Sequence, residues 1–89
     1  MSPETRFEQT VALTVTEAGR GFVIYDEPRD RVHFVNSTAA AIYELCENAC
    51  SVSQIAEELA DGFDLEEPPI GEVGSCLEAL EAEQLVRRV

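Results

Sequence analysis

The sequence predicts an α+β fold in which a three-stranded antiparallel meander is followed by three helices. Two observations lead to this class. Up to residue 35, apolar side chains alternate with polar ones or form short runs between turn residues, a pattern typical of strands joined as hairpins. From residue 36 onward, apolar residues recur every three or four positions, which is the repeat of a helix with one buried face.

The three strands are predicted from the first third of the chain. Apolar residues alternate with threonine and alanine over residues 10–16 and predict strand one. The apolar run of residues 22–25 predicts strand two, and residues 31–35 predict strand three after a second turn. Because the loops are short, consecutive strands are expected to be antiparallel neighbours, which leaves strands one and three at the sheet edges.

Helices one and two each have a start signal. Helix one is predicted over residues 37–47, behind the polar residues 36–38, any of which can cap its free amides. Helix two opens with a capping box, Ser-Val-Ser-Gln, at residues 51–54. Its apolar residues then lie on one face of the helix for two to three turns, and Gly62 is suited to terminate the helix.

Helix three is predicted after an acidic linker that contains two prolines. It begins near Ile70, and its apolar repeat brings Leu85 and Val86 near its end. Arg87 and Arg88 are expected to complement the negative end of its dipole.

Size and charge limit the classes of partner. The 89 residues suffice for one domain over residues 1–89, with residues 1–8 expected to be a flexible terminus. Eighteen acidic residues against six arginines give a net charge of -12, which disfavours nucleic acid as a partner. No apolar run approaches the roughly 18 residues of a membrane span, and the first residues lack the order of a signal peptide. We therefore expect a cytoplasmic protein that does not bind membranes.

Three cysteines, Cys46, Cys50 and Cys76, are expected to be thiols because their number is odd and their spacing fits no disulfide framework. Cys46 and Cys50 are four residues apart and can share a helix face, but a third metal ligand is missing. Cys76 lies on another element, and the single histidine, His33, lies on a strand. The sequence thus predicts no metal site, no cofactor, no catalytic residue and no enzyme.

Two classes of small domain are disfavoured by particular residues. A winged-helix DNA-binding protein would place helix three against phosphates, yet that helix carries four glutamates: Glu72, Glu78, Glu81 and Glu83. An acyl carrier protein would need an Asp-Ser-Leu triplet at the start of a helix, and this sequence has none.

Four motifs follow one another with the spacing of a known family. They are Asn-x-x-Ala at the start of helix one (Asn36, Ala39), Val-x-x-Ile-Ala-x-x-Leu in helix two (residues 52–59), Phe-Asp after it (Phe63, Asp64) and Val-x-x-x-Leu-x-x-Leu in helix three (Val73, Leu77, Leu80). Together with the preceding hairpin, residues 11–86 resemble the PqqD-like family, the peptide-binding modules called RiPP recognition elements. One departure is Glu83-Gln84, which replaces the glycine usual before the terminal Leu-Val.

The resemblance implies a winged-helix-like fold and a function in natural product biosynthesis. Such a module acts as a peptide chaperone: it binds the leader segment of a ribosomally made precursor peptide and presents the rest to a modifying enzyme. The partner is often a radical SAM enzyme, or a leader peptidase in lasso peptide pathways. The resemblance implies no catalytic residues and no cofactor in the module itself.

The resemblance also implies where the leader binds. It adds as a further antiparallel strand along strand three, in the groove between that strand and helix three, which agrees with β-augmentation of a free edge. The predicted peptide-binding residues are Arg29, Arg31, Val32, His33, Phe34, Val35, Val73, Cys76, Leu77 and Leu80. The two arginines and the histidine are expected to bind acidic leader residues, whereas Glu72 and Glu83 on the helix would favour basic ones.

A second hypothesis needs no peptide ligand. A free strand edge also pairs readily with its own copy, so the chain can instead be an acidic interaction module that forms a homodimer through strand three.

Overall fold

The computed structural model describes residues 2–10 and 13–89, and within them it has two small sheets and three helices. In chain order the elements are β1 (Arg6–Gln9), β2 (Thr14–Ala18), β3 (Gly21–Asp26), β4 (Arg31–Val35), α1 (Ser37–Leu45), β5 (Cys50–Ser51), α2 (Val52–Gly62), α3 (Ile70–Ala82) and β6 (Val86–Arg88). The α+β class and the antiparallel meander followed by three helices are confirmed.

The meander is a sheet with the order β2-β3-β4, so β4 lies at an edge as predicted. The predicted first strand was placed too early: β2 begins at Thr14, and residues 11–12 of that prediction lie outside the described residues. Gly19, at φ 63°, allows the two-residue loop between β2 and β3. Gly21 is required for another reason, since a Cβ there would lie 2.7 Å from the carbonyl oxygen of Val35.

A second sheet, with the order β5-β1-β6, was not predicted. Residues 1–8 were expected to be a flexible terminus, but β1 lies in the centre of this sheet and Phe7 is fully buried. Residues 85–88 do not continue helix three, because Val86 pairs with Gln9 in the sheet. Arg87 therefore lies beside Glu8 rather than at a helix end, with 2.9 Å between Nη2 and Oε1.

Helix α3 ends at Ala82 in a Schellman motif. The amide of Gln84 donates to the carbonyl of Glu81, and the amide of Leu85 donates to the carbonyl of Leu80. Gln84 has φ 64°, the left-handed conformation that glycine adopts most easily. This is the position where the family pattern usually has glycine, so a glutamine carries the same turn here.

Helices α1 and α2 are fixed by the predicted caps. The side chain of Asn36 accepts from the amide of Ala39 at 2.8 Å, and Ser51 and Gln54 form the capping box. The three helices and the inner faces of both sheets enclose one core. Its buried hydrophobic members include Phe7, Ile24, Ile42, Tyr43, Cys46, Val52, Ile55, Ala56, Leu59, Val73, Leu77, Leu80, Leu85 and Val86.

Candidate functional site

A groove lies between the free edge of β4 and helix α3, with the start of α1 at one end. Its volume is about 590 Å³. The residues that line it are Val32, His33, Phe34, Val35, Asn36, Ala39, Cys76, Ala79, Leu80, Glu83 and Leu85. We call this feature the β4–α3 groove.

The first hairpin determines which backbone groups of β3 point toward β4. Its loop has two residues, so the closing pair Ala18–Gly21 can be bridged only by direct hydrogen bonds between these two residues. Hydrogen-bonded pairs alternate along an antiparallel ladder. The backbone groups that β3 turns toward β4 are therefore those of Phe22, Ile24 and Asp26.

The same alternation leaves two residues of β4 with outward backbone groups. The β4 partners of the three inward residues are Val35, His33 and Arg31. The N–H and C=O groups of Val32 and Phe34 must then point away from β3, toward the groove. Within the described residues, no strand pairs with β4 on that side. The edge is thus an unoccupied template for one more antiparallel strand.

The side chains of β4 are divided between the two faces of the sheet. Arg31, His33 and Val35 are half-buried on the face that meets the core, as expected from their pairing with inward-facing residues of β3. Val32 and Phe34 point to the outer face and are 50% and 81% exposed. The backbone groups of Val32 and Phe34 lie along the groove. The side chains of the same two residues form an apolar outer patch on the other face of the sheet.

The helical wall of the groove consists of small or half-buried residues. Cys76 and Ala79 leave space for a ligand, and Leu80 contributes a little exposed surface beside them. Two residues of the predicted site, Val73 and Leu77, have no exposed surface and lie in the core. Neither residue lines the β4–α3 groove.

The positive side chains near the groove already have acidic partners. Arg29 lies 3.4 Å from the buried carboxylate of Asp26 and donates to the carbonyl of Gln84 at 3.1 Å. Arg31 forms an ion pair and a hydrogen bond with Glu83, across the end of the groove. If these arginines bind acidic leader residues as expected, the peptide carboxylates must compete with these existing partners.

His33 has two ring nitrogens in different surroundings. Nδ1 lies 3.7 Å from a carboxylate oxygen of Glu83. Nε2 is buried and has no hydrogen-bond partner among the described residues.

Burial affects the acidity of two thiols, Cys46 and Cys76. Burial raises the pKa of Cys46 to about 12, and burial also raises the pKa of the half-buried Cys76. All three cysteines are free. Among the described residues no group of histidine, cysteine and carboxylate side chains is arranged to hold a metal ion.

Glu72, which was expected in the groove wall, lines a different and smaller cavity of about 290 Å³. The other residues of that cavity are Thr38, Ile42, Leu59, Phe63, Leu65, Pro69 and Val73. Four residues of the β4–α3 groove were missed: Asn36, Ala39, Ala79 and Leu85. Asn36 and Ala39 belong to the helix-start motif of the family, which was the one signal in the sequence that could have found them.

Comparisons with known proteins bear on this geometry. A family model described as "Coenzyme PQQ synthesis protein D (PqqD)" matches residues 21–86, which include the edge strand, the groove and the three helices. No curated protein and no solved structure matches the chain. None of the helices in the described part of the chain has the length and hydropathy that crossing a membrane requires. On the strength of the matched span, the chain belongs to the PqqD family, a family of RiPP recognition elements.

Proposed function

We propose that this protein binds the leader segment of a ribosomally synthesised precursor peptide by β-augmentation of β4. The observation that carries the proposal is the open edge at Val32 and Phe34, whose outward backbone groups face a helix across a groove. An extended peptide that pairs with this edge satisfies groups that are otherwise left to water. The family, whose members are recognition proteins for such peptides, supports this choice of ligand.

Backbone pairing alone gives limited affinity. Val32 and Phe34 offer two N–H and two C=O groups, and each hydrogen bond contributes about 0.5–1.5 kcal/mol net. Ordering the backbone of each peptide residue costs about 1–2 kcal/mol. Side chains must supply the surplus and the selectivity. The groove supplies apolar surface from Val35, Cys76 and Leu80 on one side of the bound strand, and Phe34 supplies it on the other.

The polarity of the added strand determines where the peptide leaves the module. An antiparallel partner of β4 runs from Val35 toward Arg31. The amino-terminal part of the leader then lies near the start of α1, and the segment to be modified emerges beside Arg31 and Glu83. We propose that a modifying enzyme, either a radical SAM enzyme or a leader peptidase, receives the peptide at this end, in the cytoplasm. The module itself would contribute recognition and no catalysis.

A homodimer without a peptide ligand is the second candidate function. The observation that favours it is the apolar outer patch, in which Phe34 is 81% exposed next to an unpaired edge. Two copies that pair their β4 strands would cover the edge and bring the two patches together.

One titration distinguishes the two functions. A labelled leader peptide, taken from the precursor gene beside the gene for this protein, is added to the purified protein while amide shifts are recorded. Leader binding predicts shifts concentrated in β4 and in the groove face of α3, with the protein monomeric on a sizing column. A dimer on the column, combined with no amide shifts on adding peptide, would refute leader binding and support the homodimer.

A further inference from the structure

We propose that a cavity beside the acidic linker is a docking site for the modifying enzyme, and that the enzyme fills it with a bulky apolar side chain flanked by arginine or lysine. The cavity is the one of about 290 Å³ that Glu72 lines, between the start of α1, the end of α2 and the start of α3. We call it the linker cavity. This inference rests on the proposed function, because the same enzyme would receive the peptide bound in the β4–α3 groove.

The wall of the linker cavity leaves large apolar side chains uncovered. Phe63 is 50% exposed and Leu65 is 46% exposed, and Pro69 together with the buried side chains of Ile42 and Leu59 completes the apolar lining. Apolar surface concentrated at one place on a small domain is typical of a site where a partner binds. The volume is at the lower limit for a small-molecule site, but it accommodates one large side chain.

The end of α2 fixes the two exposed side chains in place. The amide of Phe63 donates to the carbonyl of Leu59 at 2.9 Å, and the amide of Leu65 donates to the carbonyl of Ala60 at 2.8 Å. The second bond is the six-to-one bond of a Schellman motif, with Asp64 in the left-handed conformation at φ 54°. The Phe-Asp motif of the sequence thus shapes this cavity, and neither of its residues lines the β4–α3 groove. Because the wall is preorganised, it loses little freedom when a partner binds.

The charge around the linker cavity indicates a basic partner. The segment 61–72, which supplies half of the lining, contains five exposed acidic residues: Asp61, Asp64, Glu66, Glu67 and Glu72. Within the described residues none of the five forms an ion pair, and no arginine lines the cavity. Unpaired carboxylates beside an apolar centre are complementary to an apolar side chain that has arginine or lysine next to it.

Other partners fit this surface less well. Two copies of the chain that met through the linker cavity would bring like charges together, and nucleic acid or anionic lipid would be repelled for the same reason. The leader has its own place, since no residue lines both the linker cavity and the β4–α3 groove. Both sites can therefore be occupied at once, as the transfer of a bound peptide to an enzyme requires.

Helix α3 connects the linker cavity with the end of the groove where the peptide would leave. Glu72, in the first turn of the helix, lines the cavity, and Glu83, directly after the helix, lines the groove. These residues are about 17 Å apart along the helix axis. A protein interface of ordinary size, about 800 Å² on each partner, is wide enough to span that distance. An enzyme docked at the linker cavity would thus cover the exit of the groove as well.

The test measures binding of the modifying enzyme encoded beside the gene for this protein. The protein carries a fluorophore, and anisotropy is recorded with and without bound leader. Phe63→Ala and Leu65→Ala each remove part of the apolar wall and should weaken enzyme binding about tenfold or more, as for residues at the centre of an interface. Because both side chains are half exposed, the fold should persist, which thermal melts check. Val89→Ala, which shortens another exposed apolar side chain, is the control and should leave binding unchanged.

Charge variants test the basic character of the partner. The double variant Glu67→Gln/Glu72→Gln should weaken enzyme binding roughly three- to tenfold at low salt and make binding less sensitive to salt. Glu44→Gln/Glu47→Gln is the matched control, because it removes the same number of charges from acids that line a different cavity. The control should stay close to the wild-type protein, which separates a local effect from the overall acidity of the chain.

The leader is titrated in parallel against every variant. Its affinity should stay within about twofold of the wild-type value, because the altered residues do not line the β4–α3 groove. A loss of leader affinity as large as the loss of enzyme affinity in Leu65→Ala would assign the linker cavity to the leader instead, and would overturn enzyme docking.

Three further outcomes would overturn the inference. They are equal enzyme binding by Leu65→Ala, Phe63→Ala and the wild-type protein, equal losses in the two charge variants, and no enzyme binding to a wild-type protein that does bind its leader. Each of these leaves leader binding intact. A wild-type protein that fails to bind the leader would count against the proposed function, and enzyme binding to the free protein would still decide whether the linker cavity is the docking site.

Discussion

Glu83, the residue that follows helix α3, is bound by the guanidinium group of Arg31, the first residue of the free edge strand. This contact connects the two walls of the β4–α3 groove at the end where a bound peptide would leave. Both side chains remain substantially exposed: Arg31 at 40% and Glu83 at 53%. The ion pair therefore has more influence on the charge of the groove than on the stability of the fold.

Removing this ion pair should change stability only slightly. We expect Arg31→Ala and Glu83→Ala each to lower the free energy of unfolding by less than about 1 kcal/mol, as for exposed pairs in general. Urea denaturation followed by circular dichroism measures the change. Glu8→Ala, which removes another exposed ion pair, is the control. A loss above about 2 kcal/mol in both the Arg31 and the Glu83 variant would instead indicate that the pair holds the groove wall in place.

Proline at position 34 should weaken leader binding without unfolding the protein. The amide of Phe34 points away from β3, so Phe34→Pro removes a donor from the open edge and leaves the ladder with β3 complete. The leader should then bind about two- to twelvefold more weakly, the range expected for the loss of one net hydrogen bond of about 0.5–1.5 kcal/mol. Binding is measured by titration calorimetry, with thermal melts as a check of the fold.

Two control variants make that result specific. Phe34→Ala removes the same side chain but keeps the amide, so it should bind the leader more tightly than Phe34→Pro does. His33→Pro removes an amide that points toward Ile24, and it should destabilise the fold. Equal binding by the proline and alanine variants would indicate that the Phe34 amide takes no part in pairing.

Phe7 should be as important for stability as any core residue, although it lies near the amino terminus. Its side chain is fully buried in the described structure, whereas the side chain of Phe34 is 81% exposed. Phe7→Ala should therefore cost about 3–5 kcal/mol, the usual range for a buried phenylalanine. Phe34→Ala, the matched control, should cost less than about 0.5 kcal/mol. Similar losses for the two variants would contradict the central position of β1.

The sequence predicted the elements whose signals are local. The apolar run of β3, the capping box at Ser51 and the helical repeat of α2 each depend on neighbouring residues, and each was found in place. Strand β1 has one buried apolar side chain, Phe7, in four residues, so no periodic pattern distinguishes it from a loop. It becomes a strand only because β5 and β6, which are far away in the sequence, pair with both of its edges.

The structure has a groove between the predicted edge strand and helix three, but only some of the predicted side chains line it. A helical repeat identifies which residues share a face, and Val73, Leu77 and Leu80 do share one, but it does not say whether that face meets the core or a ligand. The structure has the first two in the core. The partner of Arg31 was equally hidden, because Glu83 is 52 residues away and approaches only after α3 packs on the sheet.

The stability of the protein should fall above pH 9 because of its buried thiols. Desolvation by burial raises the pKa of Cys46 from 9.0, the value of an ordinary cysteine, to about 12 in the folded chain. Below pH 9 the Cys46 thiol is neutral in both the folded and the unfolded chain, so it adds no pH dependence to the free energy of unfolding. Between pH 9 and 12 the unfolded chain loses a proton that the folded chain retains, and the free energy of unfolding decreases. For Cys46 alone the loss between pH 8 and pH 10 is about 1 kcal/mol.

Urea denaturation at pH 8 and pH 10 tests this. The Cys46→Ala variant will be less stable at both pH values, but the decrease between them should be about 1 kcal/mol smaller than in the wild-type protein. Keeping the upper limit at pH 10 restricts the contribution of Tyr43, whose pKa burial raises from 10.0. Cys76→Ala should also remove part of the decrease, because burial raises the pKa of Cys76 as well. An equal decrease between pH 8 and pH 10 in the Cys46→Ala variant and the wild-type protein would show that the alkaline sensitivity comes from other groups. It would also mean that Cys46 ionises in the folded chain more easily than its burial implies.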